Sequence, residues 1–253
     1  MPRPSRNAGK GNPSRILVVD IGGTHLKVMA SGETQPRKGP SGPELTPSKM
    51  VTAVKRLAKG WKYDAVSIGF PGPAGRAGPL SEPGNLGKGW VGFDFAAAFD
   101  APVKVANDAA MQALGSYDGG RMLFVGLGTG LGGALIADRA IVPMELSELP
   151  WRRTRETLGD VLSARGLERS GIRQWRKVVD AVGARLMKVF LADYVVLGGG
   201  NANRLKELPQ GLRLGHNLTA FRGGFRLWHL PEVPLTSTET PIESRDSGEW
   251  RVL

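Results

Sequence analysis

Two glycine-rich segments and one Asn-Asp pair are where this chain could do chemistry. Asp20-Ile21-Gly22-Gly23-Thr24-His25-Leu26-Lys27 follows the apolar run Ile16-Leu17-Val18-Val19. Gly126-Leu127-Gly128-Thr129-Gly130-Leu131-Gly132 follows Met122-Leu123-Phe124-Val125. Each reads as strand, tight loop, strand, and the successive backbone N–H groups of such a loop can cradle a phosphate. Two loops of this kind suggest a chain built twice around one anionic ligand. Gly22, Gly23 and Thr24 would approach it from one side, and Gly128, Thr129 and Gly130 from the other. The same glycines would also suit hairpin turns that need φ > 0. Lys27 could meet the phosphate or stand solvated on its hairpin. Asp20 ends the first strand, where it could act on a Mg²⁺ brought by the phosphate, or simply take a backbone partner. Asn107-Asp108 lies where a strand gives way to a helix. There a carboxylate can point into a cleft, and either residue can equally be the helix N-cap.

The elements that must position these groups alternate between strand and helix, which indicates an α/β class. Strands are predicted at 16–21 and 26–30 around the first loop, at 65–70 before Pro71-Gly72-Pro73, at 103–106, on both sides of the second loop, and at 194–197 before Gly198-Gly199-Gly200. Helical spacing covers 48–59, with Ser48 as N-cap, and 109–114. A long helix over 171–191 carries Trp175, Val178, Val179, Val182 and Leu186 on one face. Residues 1–14 read as a basic, Pro/Gly-rich disordered tail. Residues 15–108 read as a small lobe, 109–230 as a large lobe, and 231–253 as a loosely ordered tail. A cleft between duplicated lobes is expected.

Composition sets the outer bounds. The chain has 253 residues, ordinary apolar content of 41 %, and no cysteine, so disulfides and thiolate metal sites are excluded. No stretch of roughly 18 apolar residues suggests a membrane span, and the basic N-terminus lacks the apolar core of a signal peptide, so a cytoplasmic location is expected. The net charge of +11 favours a polyanionic partner, or serves solubility alone. Without a Cys/His finger or a basic region leading into heptads, nucleic acid is not the expected partner. Arg152, Arg153, Arg155, Arg165, Arg169, Arg173, Arg176 and Lys177 could line a polyanion track or form a solvated helix face. His25, His216 and His229 show no metal-ligand spacing. Trp151, Trp175 and Trp228 read as packing residues.

Taken in order, these motifs resemble the actin-like (ribonuclease H-like) ATPase fold, and within it the ROK group of sugar kinases and repressors. The residues are Asp20-Ile21-Gly22-Gly23-Thr24…Lys27, Gly69-Phe70-Pro71-Gly72-Pro73, Asn85…Trp90, Val105-Ala106-Asn107-Asp108-Ala109, Gly126 to Gly132, and Val196 to Gly200. The polyphosphate glucokinase branch is the most similar, through Leu127 to Ile136 and Val142-Pro143…Glu145-Leu146 and the missing cysteine zinc module. The resemblance implies a glucokinase-type phosphotransferase acting on a hexose, at the 6-hydroxyl of glucose or a relative. ATP or polyphosphate would be the donor with Mg²⁺, without zinc, in a homodimer. It implies Asp108 as catalytic base and Asn85, Asn107, Glu145, Glu148 and Gly72 as sugar contacts. The two glycine loops and Lys27 would hold phosphate, and Gly198, Gly199 and Gly200 the nucleotide.

The chain departs from the group at two places. Glu145-Leu146-Ser147-Glu148 stands where the group has Glu-x-Gly-His. The closing helix of the group is replaced by Gly223-Gly224-Phe225-Arg226-Leu227-Trp228 and a tail expected to be non-helical. A catalytically weak sugar-binding or regulatory protein of the same group is the alternative. Residues 1–14 are too short for the helix-turn-helix of its repressors, and the intact Asn107-Asp108 favours the kinase.

Overall fold

The computed structural model describes residues 13–229, except 76, 153 and 217, together with the backbone of 251–252. The predicted tails at 1–14 and 231–253 lie almost wholly outside the described residues. In the N-terminal half the elements are β1 (Ile16–Ile21), β2 (His25–Ala30), β3 (Arg37–Pro40), α1 (Pro47–Leu57), β4 (Ala65–Phe70), the small hairpin β5 (Ala74–Gly75) and β6 (Gly78–Pro79), α2 (Phe95–Phe99) and β7 (Val103–Asn107). The C-terminal half has α3 (Asp108–Ser116), β8 (Met122–Leu127), β9 (Leu131–Ala137), β10 (Ala140–Met144), α4 (Leu158–Leu162), α5 (Ala164–Val189), β11 (Tyr194–Gly198), β12 (Leu212–Leu214), α6 (Thr219–Arg226) and β13 (Arg251–Val252).

One strand plan is used twice. The first sheet runs β3-β2-β1-β4-β7, an antiparallel meander followed by two parallel strands. The second runs β10-β9-β8-β11-β12 in the same sense, with β13 added beyond β10. β1, β4 and the inner part of β8 are buried on both faces, as their unbroken apolar runs require. The duplicated α/β architecture expected from the two loops is therefore present.

Among the described residues, three apolar cores hold the fold together. One fills the outer face of the first sheet beneath α1 and α2, with Trp90 packed on Phe70 at a ring separation of 5.4 Å. A second lies beneath α4 and α5 on the second sheet, around Trp175. The third lies between the sheets and contains α3 and α6. The crossing of α3 and α6 is unusually close. A Cβ at Gly115 would stand 1.8 Å from the Thr219 carbonyl, and one at Gly223 would stand 1.7 Å from the Met111 carbonyl. Ser67 Oγ donates to the Gly224 carbonyl at 2.6 Å and accepts from Trp228 Nε1 at 2.9 Å, tying this segment to β4.

Three local expectations are corrected and one is extended. Thr46, not Ser48, caps α1, because Pro47 suits the first helical position and the Thr46 hydroxyl accepts from Lys49 N. The long helix expected over 171–191 is present on the far side of Gly171, which is non-helical at φ 72° and ψ 159°, and a further, unexpected short helical segment from Ala164 runs up to that kink. The segment through Gly223-Gly224 is helical, since its glycines provide the close approach to α3 and Val18 that a side chain would block. None of Gly22, Gly23, Gly128 or Gly130 has positive φ, so turn strain is not why glycine stands there.

Candidate functional site

A cleft of about 980 Å³ opens between the two sheets. Its walls bring together Asp20, Gly22, Gly23, Thr24, Lys27, Gly72, Asn85, Asn107, Asp108, Gly128, Thr129, Gly130, Glu145, Glu148, Gly199 and Gly200. Of the predicted site residues, only Gly198 is not in its wall. Gly198 is buried at the end of β11, and a Cβ there would meet the Phe124 ring at 2.5 Å. Its reason for being glycine is packing beneath the Gly199-Gly200 turn, so, against expectation, it does not line the cleft. Gly199 follows at φ +80°, where a Cβ would meet the Leu127 carbonyl at 2.6 Å.

The first loop is closed by Gly22 N donating to the His25 carbonyl at 3.0 Å. A Cβ on Gly23 would stand 2.7 Å from Asn85 Nδ2, so this glycine lets Asn85 reach the loop. Asn85 is held by the loop behind it. Glu82 accepts the backbone N–H groups of Gly89, Trp90 and Val91, and Trp90 Nε1 donates to the Gly87 carbonyl at 2.8 Å. Trp90 is fully buried and positions this loop from below. In the second loop Gly128 N donates to the Gly130 carbonyl at 3.1 Å, and the Gly128 carbonyl accepts from Ala164 N at 2.9 Å. A Cβ on Gly130 would meet nothing within 4 Å, so this residue faces open space.

Asn107 and Asp108 occupy the strand-to-helix turn that the sequence indicated. Asn107 is the N-cap of α3, its Oδ1 accepting from Ala110 N at 3.0 Å, while its Nδ2 donates to the Gly72 carbonyl at 3.1 Å. Capping and facing the cleft are thus combined in one residue. Asp108 Oδ1 accepts from Ala109 N at 2.7 Å. Directly behind, a Cβ on Gly132 would lie 2.9 Å from Ala109 Cβ, so β9 packs against the first turn of α3 and sets Asp108 beside the second loop.

The electrostatics of this turn are unusual for an aspartate. The Asp108 carboxyl is pushed up from 3.8 to about 7, first by the protein around it, then by the charges of Asp20 and Glu145, against the opposing pull of the backbone N–H groups. The side chain still keeps a partly exposed face toward the cleft. Asp20 is buried at 8 % exposure, and its Oδ2 pairs with Lys27 Nζ at 3.2 Å across the β1–β2 register. Lys27 is thus committed to a carboxylate partner on its hairpin.

Comparison with known proteins decides the ancestry. The profile of the ROK family matches residues 16–143, from β1 through the second glycine loop to β10. The chain belongs to the ROK family. Among solved structures with this fold is an inorganic polyphosphate/ATP-glucomannokinase from Arthrobacter sp. strain KM. It is 23 % identical with a TM-score of 0.72, over 85 % of this chain and 98 % of that one. A ROK family glucokinase from Streptomyces griseus, in complex with glucose and AMPPNP, is 17 % identical with a TM-score of 0.68, over 85 % and 99 %. A ROK hexokinase from Thermus thermophilus is 20 % identical with a TM-score of 0.61, over 83 % and 96 %. A search of the curated proteins gives no match.

This ROK chain also brings to the cleft Gln112, Ser147 and Asn201, which sequence reasoning passed over, His25, to which it gave no role, and Arg165, one of the arginines expected to line a polyanion track or form a solvated helix face. Gln112 stands one helical turn after Asp108, and that spacing was the available signal. Arg165 enters from the short helical segment that precedes the kink at Gly171. The other arginines divide differently. Arg169 pairs with Glu156 at 2.5 Å, Arg176 donates to the Arg204 carbonyl, and Arg152 lies 4.6 Å over the Trp151 ring. Arg153 lies outside the described residues. Among the described residues, no cluster of three or more His, Cys, Asp or Glu could hold a metal, and no helix is long and apolar enough to cross a membrane. A divalent ion that arrives on a phosphate needs only one or two carboxylates from the protein. Asp20 and Asp108, close enough to repel, fit that requirement.

Proposed function

We propose that this protein is a hexose kinase, transferring the terminal phosphoryl group of ATP or polyphosphate to a hexose hydroxyl, with the 6-hydroxyl of glucose as the reference acceptor. One observation carries the reading. A carboxyl pushed up to about 7 stands in the same cleft as two glycine loops contributed by two separate sheets. Phosphoryl transfer asks the protein for positioning, charge stabilisation and a proton acceptor, and these are the parts assembled here.

Asp108 is the base. A carboxylate with its acidity matched to neutral pH is ionised enough to accept the hydroxyl proton and basic enough to keep it. The freed oxygen attacks the phosphorus in line, and the donor's leaving oxygen departs on the far side. Gly22, Gly23 and Thr24 from β1–β2 and Gly128, Thr129 and Gly130 from β8–β9 hold the donor through backbone N–H groups, which cost no reorganisation when charge moves. Mg²⁺ would be held by Asp20 and the donor phosphates, supplying neutralisation of the transferred charge. Asn107 has a second Nδ2 hydrogen and a free lone pair for sugar hydroxyls beyond its two backbone contacts. Asn85, Gly72, Glu145 and Glu148 complete the acceptor pocket. Gly199 and Gly200 offer bare backbone to the distal part of a nucleotide donor. Sequestering these groups between two lobes limits loss of phosphoryl to water.

The test is sugar-phosphate formation from glucose with Mg²⁺, run in parallel with ATP and with long-chain polyphosphate. Transfer from either donor is expected. Failure with both, across a hexose panel, would overturn the reading.

A further inference from the structure

The acceptor end of the cleft holds more carboxylate than a neutral sugar would use. Glu145, Ser147 and Glu148 lie in the same cavity as Asp108. The Ser147 hydroxyl donates to Glu145 Oε1 and sits 3.5 Å from Glu148 Oε1. One hydroxyl has one proton, so Glu145 takes it and Glu148 is left as an acceptor without a donor. Neither glutamate makes an ion pair among the described residues. The nearby charges have other partners, Arg165 of the same cleft acting with Arg169 on the Asp160 carboxylate. Lys27 is on Asp20, Arg169 is on Glu156, and Asp160 spends its carboxylate on Thr157. The charge of Glu145 also reaches Asp108. Two glutamates without an ion-pair partner among the described residues therefore share a pocket with Asp108 in a chain whose net charge is +11.

A hexose hydroxyl brings one donor and no charge. A protonated amine brings three donors and a positive charge, which answers both the acceptor surplus and the field. We infer that the preferred acceptor is a hexosamine with a free, protonated amine, and that Glu148, with Glu145, selects the amine. This rests on the kinase reading above. An N-acetylated sugar loses the charge and two of the donors, so it gains nothing from this pair of glutamates.

The experiment uses the full chain with Mg²⁺ and whichever donor supports turnover. It compares kcat/KM for glucosamine, glucose and N-acetylglucosamine, and measures glucosamine and glucose binding by calorimetry. The two glutamates are exposed, so the expected preference for glucosamine over glucose is that of a solvated ion pair, about five- to tenfold, decreasing with added salt. N-acetylglucosamine is expected to do no better than glucose. Glu148→Gln keeps the size and removes the charge, and should bring the glucosamine-to-glucose ratio close to unity. A ratio at or below unity in the parent, or one that both Glu148→Gln and Glu145→Gln leave unchanged, overturns the inference while leaving the kinase intact. Tighter glucosamine binding without transfer to any sugar supports the amine site and sinks the kinase reading. Absence of both binding and transfer overturns both.

Discussion

Replacing Asp108 by Asn should destroy catalysis and at the same time strengthen the fold, in a pH-dependent way. The Asn side chain keeps an oxygen to accept from Ala109 N, so the local backbone hydrogen bond survives. What disappears is the ionisable carboxyl. In the folded protein that carboxyl is raised from 3.8 to about 7, because surrounding protein and the charges of Asp20 and Glu145 disfavour its ionised form. Below about pH 4 the group is protonated in folded and unfolded chains alike, and it costs the fold nothing. As pH rises through the interval up to about 7, the unfolded chain ionises first, and stability is lost. Moving the carboxyl from 3.8 to about 7 would by itself correspond to about 4 kcal/mol. The carboxyl keeps a face toward cleft water, and that screening brings the working figure to about 1–2 kcal/mol. Thermal unfolding of parent and variant should therefore coincide near about pH 4 and separate by about 4 °C near about pH 8, the variant being the more stable. Sugar phosphorylation should fall by about 10²- to 10⁴-fold, the range for losing a positioned base. In the parent, kcat/KM should rise with pH and level off above about 7. A variant with more than a tenth of parental activity refutes the base assignment. A stability difference that is absent at high pH, or equal at both, refutes the electrostatic account of the site.

Three further outcomes are expected. Gly130→Val places a branched side chain into open space at the second loop, so thermal stability should hold while the KM for the phosphoryl donor rises about tenfold, measured with each donor in turn. Gly223→Ala forces a Cβ against the Met111 carbonyl, 1.7 Å away, and should cost about 3 kcal/mol or prevent folding altogether, as read by urea unfolding. Ser67→Ala leaves Trp228 Nε1 and the Gly224 carbonyl unpaired in the core, for a loss of about 1–3 kcal/mol in the same assay. Unchanged midpoints for these last two variants would mean that α6 is not clamped to the first sheet as described.

Local elements were largely open to reading in advance. β1, β4, β8 and β11 announce themselves as unbroken apolar runs, because a strand covered on both faces tolerates little else. The edge strands β3 and β12 did not, since each is short and mostly exposed and borrows its order from a neighbour. α6 was misread for a related reason. Two adjacent glycines weigh against a helix by propensity, and only the partner surfaces of α3 and β1 repay that cost.

The sequence by itself determined the two loops, the Asn107-Asp108 turn and the α/β class, because each is written in a few neighbouring residues whose backbone demands are local. Tertiary structure alone decided that Gly198 supports rather than lines the cleft, and that Gln112 and Arg165 join it. It also decided that Lys27 is held by Asp20 and that Gly23 makes room for Asn85, none of Gly22, Gly23, Gly128 and Gly130 having positive φ. Those outcomes depend on which surfaces meet across the interface of the two sheets. So does the raised pKa of Asp108, which comes first from burial by the surrounding protein and then from Asp20 and Glu145, residues distant in the chain and brought near it only by folding.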